Sequence, residues 1–119
     1  MMLIYRELDV WKNAMNLVDD VYILTKSFPR EELFVLTSQM RRGSISIPSN
    51  IAEGFDRKNT KEYLQFCYIA LSSLSELDTQ IQIAFRQKYT ENTEILSEKV
   101  LIIKKQLLAL IKSLKLKLK

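Results

Sequence analysis

The stretch NTKEYLQFCYIALSSLSELDTQIQIAFRQK, residues 59–88, decides the fold. Apolar side chains recur along it as Tyr63, Phe66/Cys67, Ala70, Leu74, Leu77, Ile81 and Ala84/Phe85, while Gln65, Ser72, Glu76, Thr79 and Arg86 take the far side. A half-buried strand would alternate every second residue, whereas this spacing is that of a helix with one face turned to a core. Asn59 followed three residues later by Glu62 resembles a capping box, so the helix opens there and reaches about Lys88.

Upstream, Val10/Trp11, Ala14/Met15, Val18 and Val21/Tyr22 repeat every three or four positions and predict a first helix from about Leu8 to Lys26. Ser27-Phe28-Pro29 interrupts it, because proline disfavours helix for the residue before it and suits the first turn of a new one. A second helix then runs to about Phe55, with Leu33, Leu36, Met40, Ile47 and Ile51 as its buried stripe and Glu31 and Glu32 in its first turn, where the dipole favours anions. Pro48 lies inside it at a cost of about 3 kcal/mol. The stripe keeps its phase across Pro48, which predicts one bent, continuous helix. Gly54 to Asn59 reads as the next turn. Downstream, Thr90 to Thr93 is a polar connection, and Leu96, Val100, Ile103, Leu107, Leu110 and Leu114 mark a fourth helix at near-heptad spacing, followed by a Lys/Leu alternation to Lys119.

With two glycines and two prolines in 119 residues, the connections are short. The expected fold is therefore all-α: one domain over residues 1–119, an up-down-up-down antiparallel four-helix bundle.

Composition narrows the chemistry. Cys67 is the single cysteine and there is no histidine, so an internal disulfide, a Cys-His or Ser-His pair and a Glu-x-x-His di-metal site are all out of reach. Cys67 sits between Phe66 and Tyr68 and reads as a buried core thiol. Adjacent carboxylates such as Asp19/Asp20 and Glu31/Glu32 point to different helix faces, and Glu53 with Asp56 has no metal-binding companion. No glycine-rich phosphate loop follows a strand. The expectation is a protein without cofactor, metal or small-molecule substrate, and not an enzyme. Chemistry by Arg, Asn, Glu or Tyr around a subunit interface is the one enzymatic alternative. The opening residues Met1 to Glu7 lack the features of a secretory signal, and no run approaches the roughly 18 apolar residues of a membrane span, so a cytoplasmic location is expected.

Two surfaces stand out. On the second helix, about 100° of rotation per residue puts Gln39, Arg42, Ser46, Ser49, Asn50, Glu53 and Arg57 on one side, opposite the apolar stripe. Such a mixture suits bidentate and amide hydrogen bonding between packed surfaces, although a merely solvated face has the same look. On the fourth helix, Leu101 and Leu108 lie opposite the core stripe, which suggests a subunit interface, and Ile102 and Ile111 widen the stripe. Seven of the eighteen basic residues fall between Lys99 and Lys119, among them Lys104, Lys105, Lys112 and Lys115. They serve solubility and dipole compensation, or a phosphate track.

The run Gln39-Met40-Arg41-Arg42-Gly43-Ser44-Ile45-Ser46-Ile47-Pro48-Ser49-Asn50-Ile51-Ala52-Glu53-Gly54 resembles the central signature of a bacterial four-helix-bundle family, many of whose members are encoded within intervening sequences of large-subunit ribosomal RNA genes. The likeness extends upstream to Leu36-Thr37 and downstream to Glu62, Phe66, Ile69-Ala70, Ser73 and Glu76-Leu77, nearly the whole chain. The resemblance implies a left-handed bundle that assembles as a ring-like homopentamer, with no assigned catalytic activity. It raises the standing of Arg42, Asn50 and Glu53, which belong to the signature. The fold is also similar to that of the accessory protein of diversity-generating retroelements, a basic pentamer that partners a reverse transcriptase and binds nucleic acid. Two departures from the pattern matter. Gly43 and Ser44 replace small apolar residues, and a mid-helix glycine costs roughly 1 kcal/mol against alanine while letting another helix come close. Ile83 to Tyr89 lacks the glycine usual at the end of the third helix.

The leading expectation is thus an oligomeric accessory or scaffold protein that contacts RNA, DNA or a nucleic-acid enzyme. Arg41, Arg42, Arg57, Lys58 and Lys61 are the first candidates for phosphate contact, and Lys104, Lys105 and Lys112 the second. Arg42, Asn50, Glu53, Leu101 and Leu108 are the candidates for the oligomer interface. The alternative is a protein-binding module that takes no nucleic acid.

Overall fold

The computed structural model describes residues 4–118. Met1 to Leu3 of the opening segment and Lys119 lie outside the described residues. Four long helices carry the architecture: α1 (Asp9–Thr25), α2 (Ser38–Phe55), α3 (Thr60–Arg86) and α4 (Glu94–Leu116). Single 3-10 turns at Tyr5–Glu7 and Arg30–Glu32 and a π-helical turn at Leu33–Thr37 complete it, with no strand among the described residues. Two hydrogen bonds set the direction of α4 against α1. Asn13 meets Gln106 at 3.0 Å and Asp20 meets Lys99 at 2.6 Å, so seven residues back along α1 are seven forward along α4, and the pair is antiparallel. Ser46 bonded to Ser73 and Gly54 against Phe66 orient α2 and α3 the same way. The bundle measures 48 × 23 × 20 Å.

The core is the set of stripes meeting on the axis. Leu17 and Val21 of α1, Met40, Ile47 and Ile51 of α2, Leu74, Leu77 and Ile81 of α3 and Ile103 and Leu107 of α4 are buried in one cluster. Each such side chain contributes roughly 1.5–3 kcal/mol by leaving water. A smaller cluster of Leu64, Cys67, Ile111 and Leu114 joins the start of α3 to the end of α4.

The helix boundaries have local causes. Asn59 caps α3 through its Oδ1, which accepts from the backbone N–H groups of Lys61 at 2.8 Å and Glu62 at 3.3 Å. At the other end of α3, Lys88 adopts φ 65° and the Tyr89 N–H reaches back to the Ala84 carbonyl at 2.9 Å. That is the closure glycine usually provides, made here by a lysine at a backbone cost. Tyr89 then packs on Phe28 with ring centroids 5.4 Å apart and donates its hydroxyl to Glu32 at 3.0 Å, tying the α3–α4 turn to the α1–α2 connection. Pro48 is buried within an unbroken α2, as its uninterrupted stripe predicts.

Six expectations need correction. Leu33 is exposed, not buried, because the i to i+5 bonding of the π-helical turn adds a residue per turn and shifts the face before α2 begins. Gly54 is not a turn residue. It sits inside α2, which ends one residue later, and the turn is Asp56 to Asn59. Phe85 and Ile102 lie outside the core, on the solvent side of their stripes, and so do Met15 and Tyr22 of α1, whose buried line is Val10, Ala14, Leu17 and Val21.

Candidate functional site

The two sides of α2 differ. On the side facing α3, Ser46 and Ser73 share a hydrogen bond of 2.9 Å, and the Asn50 amide donates to the Ser46 carbonyl at 2.7 Å and to its hydroxyl at 2.9 Å. These side chains are half-buried, so part of the predicted polar stripe is a seam within one chain. Gly54 makes that seam possible: a Cβ there would stand 2.9 Å from the Cβ of Phe66 and from the Tyr63 ring. Gly43 does not have this role, since its Cβ would meet only the Gln80 Oε1, at 3.7 Å. Arg42, Ser49, Glu53 and Arg57 remain exposed.

On the side facing α1, large side chains leave the helices apart. Trp11, Met15 and Val18 face Ile45, Pro48 and Ala52 across a hollow of about 300 Å³. It continues into a second, of about 290 Å³, between Tyr22, Phe34 and Arg41. Phe34 is 89% exposed and its neighbours Leu33 and Val35 are exposed with it. Arg41 is held over Tyr22, 4.7 Å from the ring centroid, with its Nε donating to the Thr25 hydroxyl at 2.9 Å. Cation–π contact and hydrogen bond together fix a guanidinium that has no acidic partner among the described residues.

The basic candidates fall into separate places. Arg41 and Arg42 sit near the start of α2, and Arg57 follows its end, about 22 Å along at 1.5 Å per residue. Arg57, Lys58 and Lys61 share that end of the bundle with the last turns of α4, because Ile111 and Leu114 pack on Leu64 and Cys67. Lys112 and Lys115 therefore join them. Arg57 lies over Phe66 at 4.8 Å and Lys115 over Tyr68 at 5.6 Å, so aromatic rings hold two of the five cations. Lys104 and Lys105 are exposed higher on α4, towards the middle of the bundle. Leu101 and Leu108 are 49% and 45% exposed, as expected for side chains opposite the stripe.

Sequence reasoning missed the α1/α2 hollow and the Leu33-Phe34-Val35 knob. The signals were present: three consecutive large apolar residues cannot all face one core, and Met15 and Tyr22, seven apart, lie off the stripe of Ala14, Leu17 and Val21. Chemically, the surfaces offer cations, rings and apolar area. Cys67 is buried and burial pushes its thiol up to about 11, which keeps it protonated and inert near neutrality. Among the described residues no group of side chains could hold a metal ion, and no helix is long and apolar enough to cross a membrane. In comparison with known proteins, residues 6–109 match the family described as 23S rRNA-intervening sequence protein, and no curated protein matches the chain.

Proposed function

The chain belongs to the 23S rRNA-intervening sequence protein family, and on that premise we propose that it is a non-enzymatic, self-associating scaffold that meets nucleic acid through one basic end. The observation that carries this reading is the segregation of the surface. Exposed apolar area runs along the α1/α2 side from Trp11 to Phe34, while Arg57, Lys58, Lys61, Lys112 and Lys115 gather at one end, where they outnumber the exposed carboxylates Glu53, Asp56 and Glu62. A long apolar face suits a protein neighbour, and a cluster of cations on a short end suits phosphates. The resemblance sets the copy number to test at five, in a ring that would bring several such ends onto one face.

Cation–π contact with Phe66 and Tyr68 orients Arg57 and Lys115 without neutralising them, so both stay available to phosphate oxygens. Nothing in this arrangement reads base edges, and the expected binding is of phosphate backbones with little sequence preference. The test is fluorescence anisotropy of the nuclease-treated protein with a structured RNA and a DNA duplex at two salt concentrations. Affinity should fall steeply with salt and drop in the triple variant Arg57→Ala/Lys58→Ala/Lys61→Ala. Binding insensitive to salt, or none at low salt, would refute the nucleic-acid part and leave a protein-binding module.

A further inference from the structure

We infer that the α1/α2 groove of one copy receives the outer face of α4 of a second copy, with Arg41 and Arg42 meeting the carboxylates of Glu94 and Glu98. The inference deepens the self-association proposed above and rests on it, adding which two faces meet and in what register.

The molecule contains its own ruler. Asp20 pairs with Lys99 and Asn13 with Gln106, so each step along α1 corresponds to one step back along α4. By that count Trp11 is level with Leu108, Val18 with Leu101, and Thr25 with Glu94. Tyr22 falls one residue from the level of Glu98. Arg41 is fixed between Tyr22 and Thr25 by its ring contact and its hydrogen bond, which puts its guanidinium level with the two glutamates. The groove and the outer side of α4 therefore carry matching chemistry at equal heights. The cations Arg41 and Arg42 stand against the anions Glu94 and Glu98, and below them the apolar groove stands against Leu101 and Leu108, with the exposed Lys105 between them on the same face, its alkyl stem along the contact and its charge at the rim.

These faces cannot satisfy one another within one chain. Val100, Ile103 and Leu107 turn the buried side of α4 to the core, and Leu101 and Leu108, about 100° round the helix from Val100 and Leu107, open onto solvent on its flank, while the groove opens between α1 and α2. Among the described residues neither arginine has an acidic partner and neither glutamate a basic one. Two different patches on one chain, complementary to each other, make a head-to-tail contact. Because they match at equal heights, a rotation about an axis parallel to the helices superposes one copy on the next, the condition for a closed ring instead of a filament.

Mixing two blocked variants tests this. Ile45→Glu puts a charge in the groove and Leu101→Arg puts one on the α4 face. Both positions are exposed, 43% and 49%, so each variant should keep the circular dichroism and melting behaviour of the parent. By light scattering after size exclusion, each alone should be monomeric where the parent is assembled. An equimolar mixture should form a one-to-one heterodimer and nothing larger, since one intact groove and one intact α4 face remain. In a second arm, Arg42→Glu should weaken assembly about five-fold at low salt, and adding Glu98→Arg in the same chain, which keeps Glu94 for Arg41, should restore it. Variants that assemble like the parent, or a mixture that stays monomeric, would overturn the pairing while leaving self-association standing. A parent that is itself monomeric would overturn both.

Discussion

Helix α2 presents two contrasting contacts to its neighbours. Towards α3 its residues are small or short and polar, and the helices close until Gly54 lies against the Phe66 Cβ and the Tyr63 ring and Ser46 bonds to Ser73. Towards α1 they are Arg41, Ile45, Pro48 and Ala52, facing Trp11, Met15 and Tyr22, and the outer part of that contact stays open. The seam uses up its polar groups on itself, whereas the groove leaves a fixed guanidinium and several large apolar side chains without cover. One signature run of sequence thus does both jobs, since the residues on the two sides of a helix alternate along the chain. The seam holds the monomer together, and the groove is the surface through which we propose the monomer finds its neighbour.

That contrast can be broken by substitution. The largest effect belongs to Gly54→Ala, whose methyl would stand 2.9 Å from Phe66 and Tyr63 and force α3 outward. A loss of about 1–3 kcal/mol in urea unfolding is expected, and an unchanged midpoint would show that the close approach is not needed. Ser46→Ala comes next. It leaves the Ser73 hydroxyl and one hydrogen of the Asn50 amide unpaired in a half-buried seam, for a loss of about 1 kcal/mol by the same measurement. Gly43→Ala sharpens the comparison by changing sign. Its methyl has ordinary room beside Gln80, so thermal unfolding should show a gain of up to about 1 kcal/mol from helix propensity alone. The smallest effect on the fold is that of Phe34→Ser on the groove side, within about 0.5 kcal/mol for a side chain that is 89% exposed. Its consequence should appear in sedimentation velocity, as weaker self-association with an unaltered melting curve.

The helix count, the boundaries of α1, α3 and α4 and the buried stripes were legible in the sequence, because periodicity and capping are local properties of neighbouring residues. Asn59 marks the start of α3 by its own hydrogen bonds, and Leu74, Leu77 and Ile81 face inward whatever packs on them. The exposure of Leu101 and Leu108 was legible for the same reason. The candidate site was legible as a set of residue types and no further. Asn50 and Ser46 read as an outward stripe but form a seam, because whether a polar face is wet depends on the helix beside it. Leu33 read as core but is exposed, since a π-helical turn leaves no mark in a pattern count.

What the sequence by itself determined is an all-helical chain with four amphipathic faces, one cysteine and no histidine, and hence no imidazole to act as a general base. What only the tertiary structure decided is the grouping. Arg57 and Lys61 come to share an end with Lys112 and Lys115, and Arg41 to rest on Tyr22 at the height of Glu94 and Glu98. Sequence spacing fixes which way a side chain points from its own helix. Register and distance between helices are set by which side chains interdigitate and by where a glycine lets the side chains of a neighbouring helix close in, and those are properties of the assembled bundle.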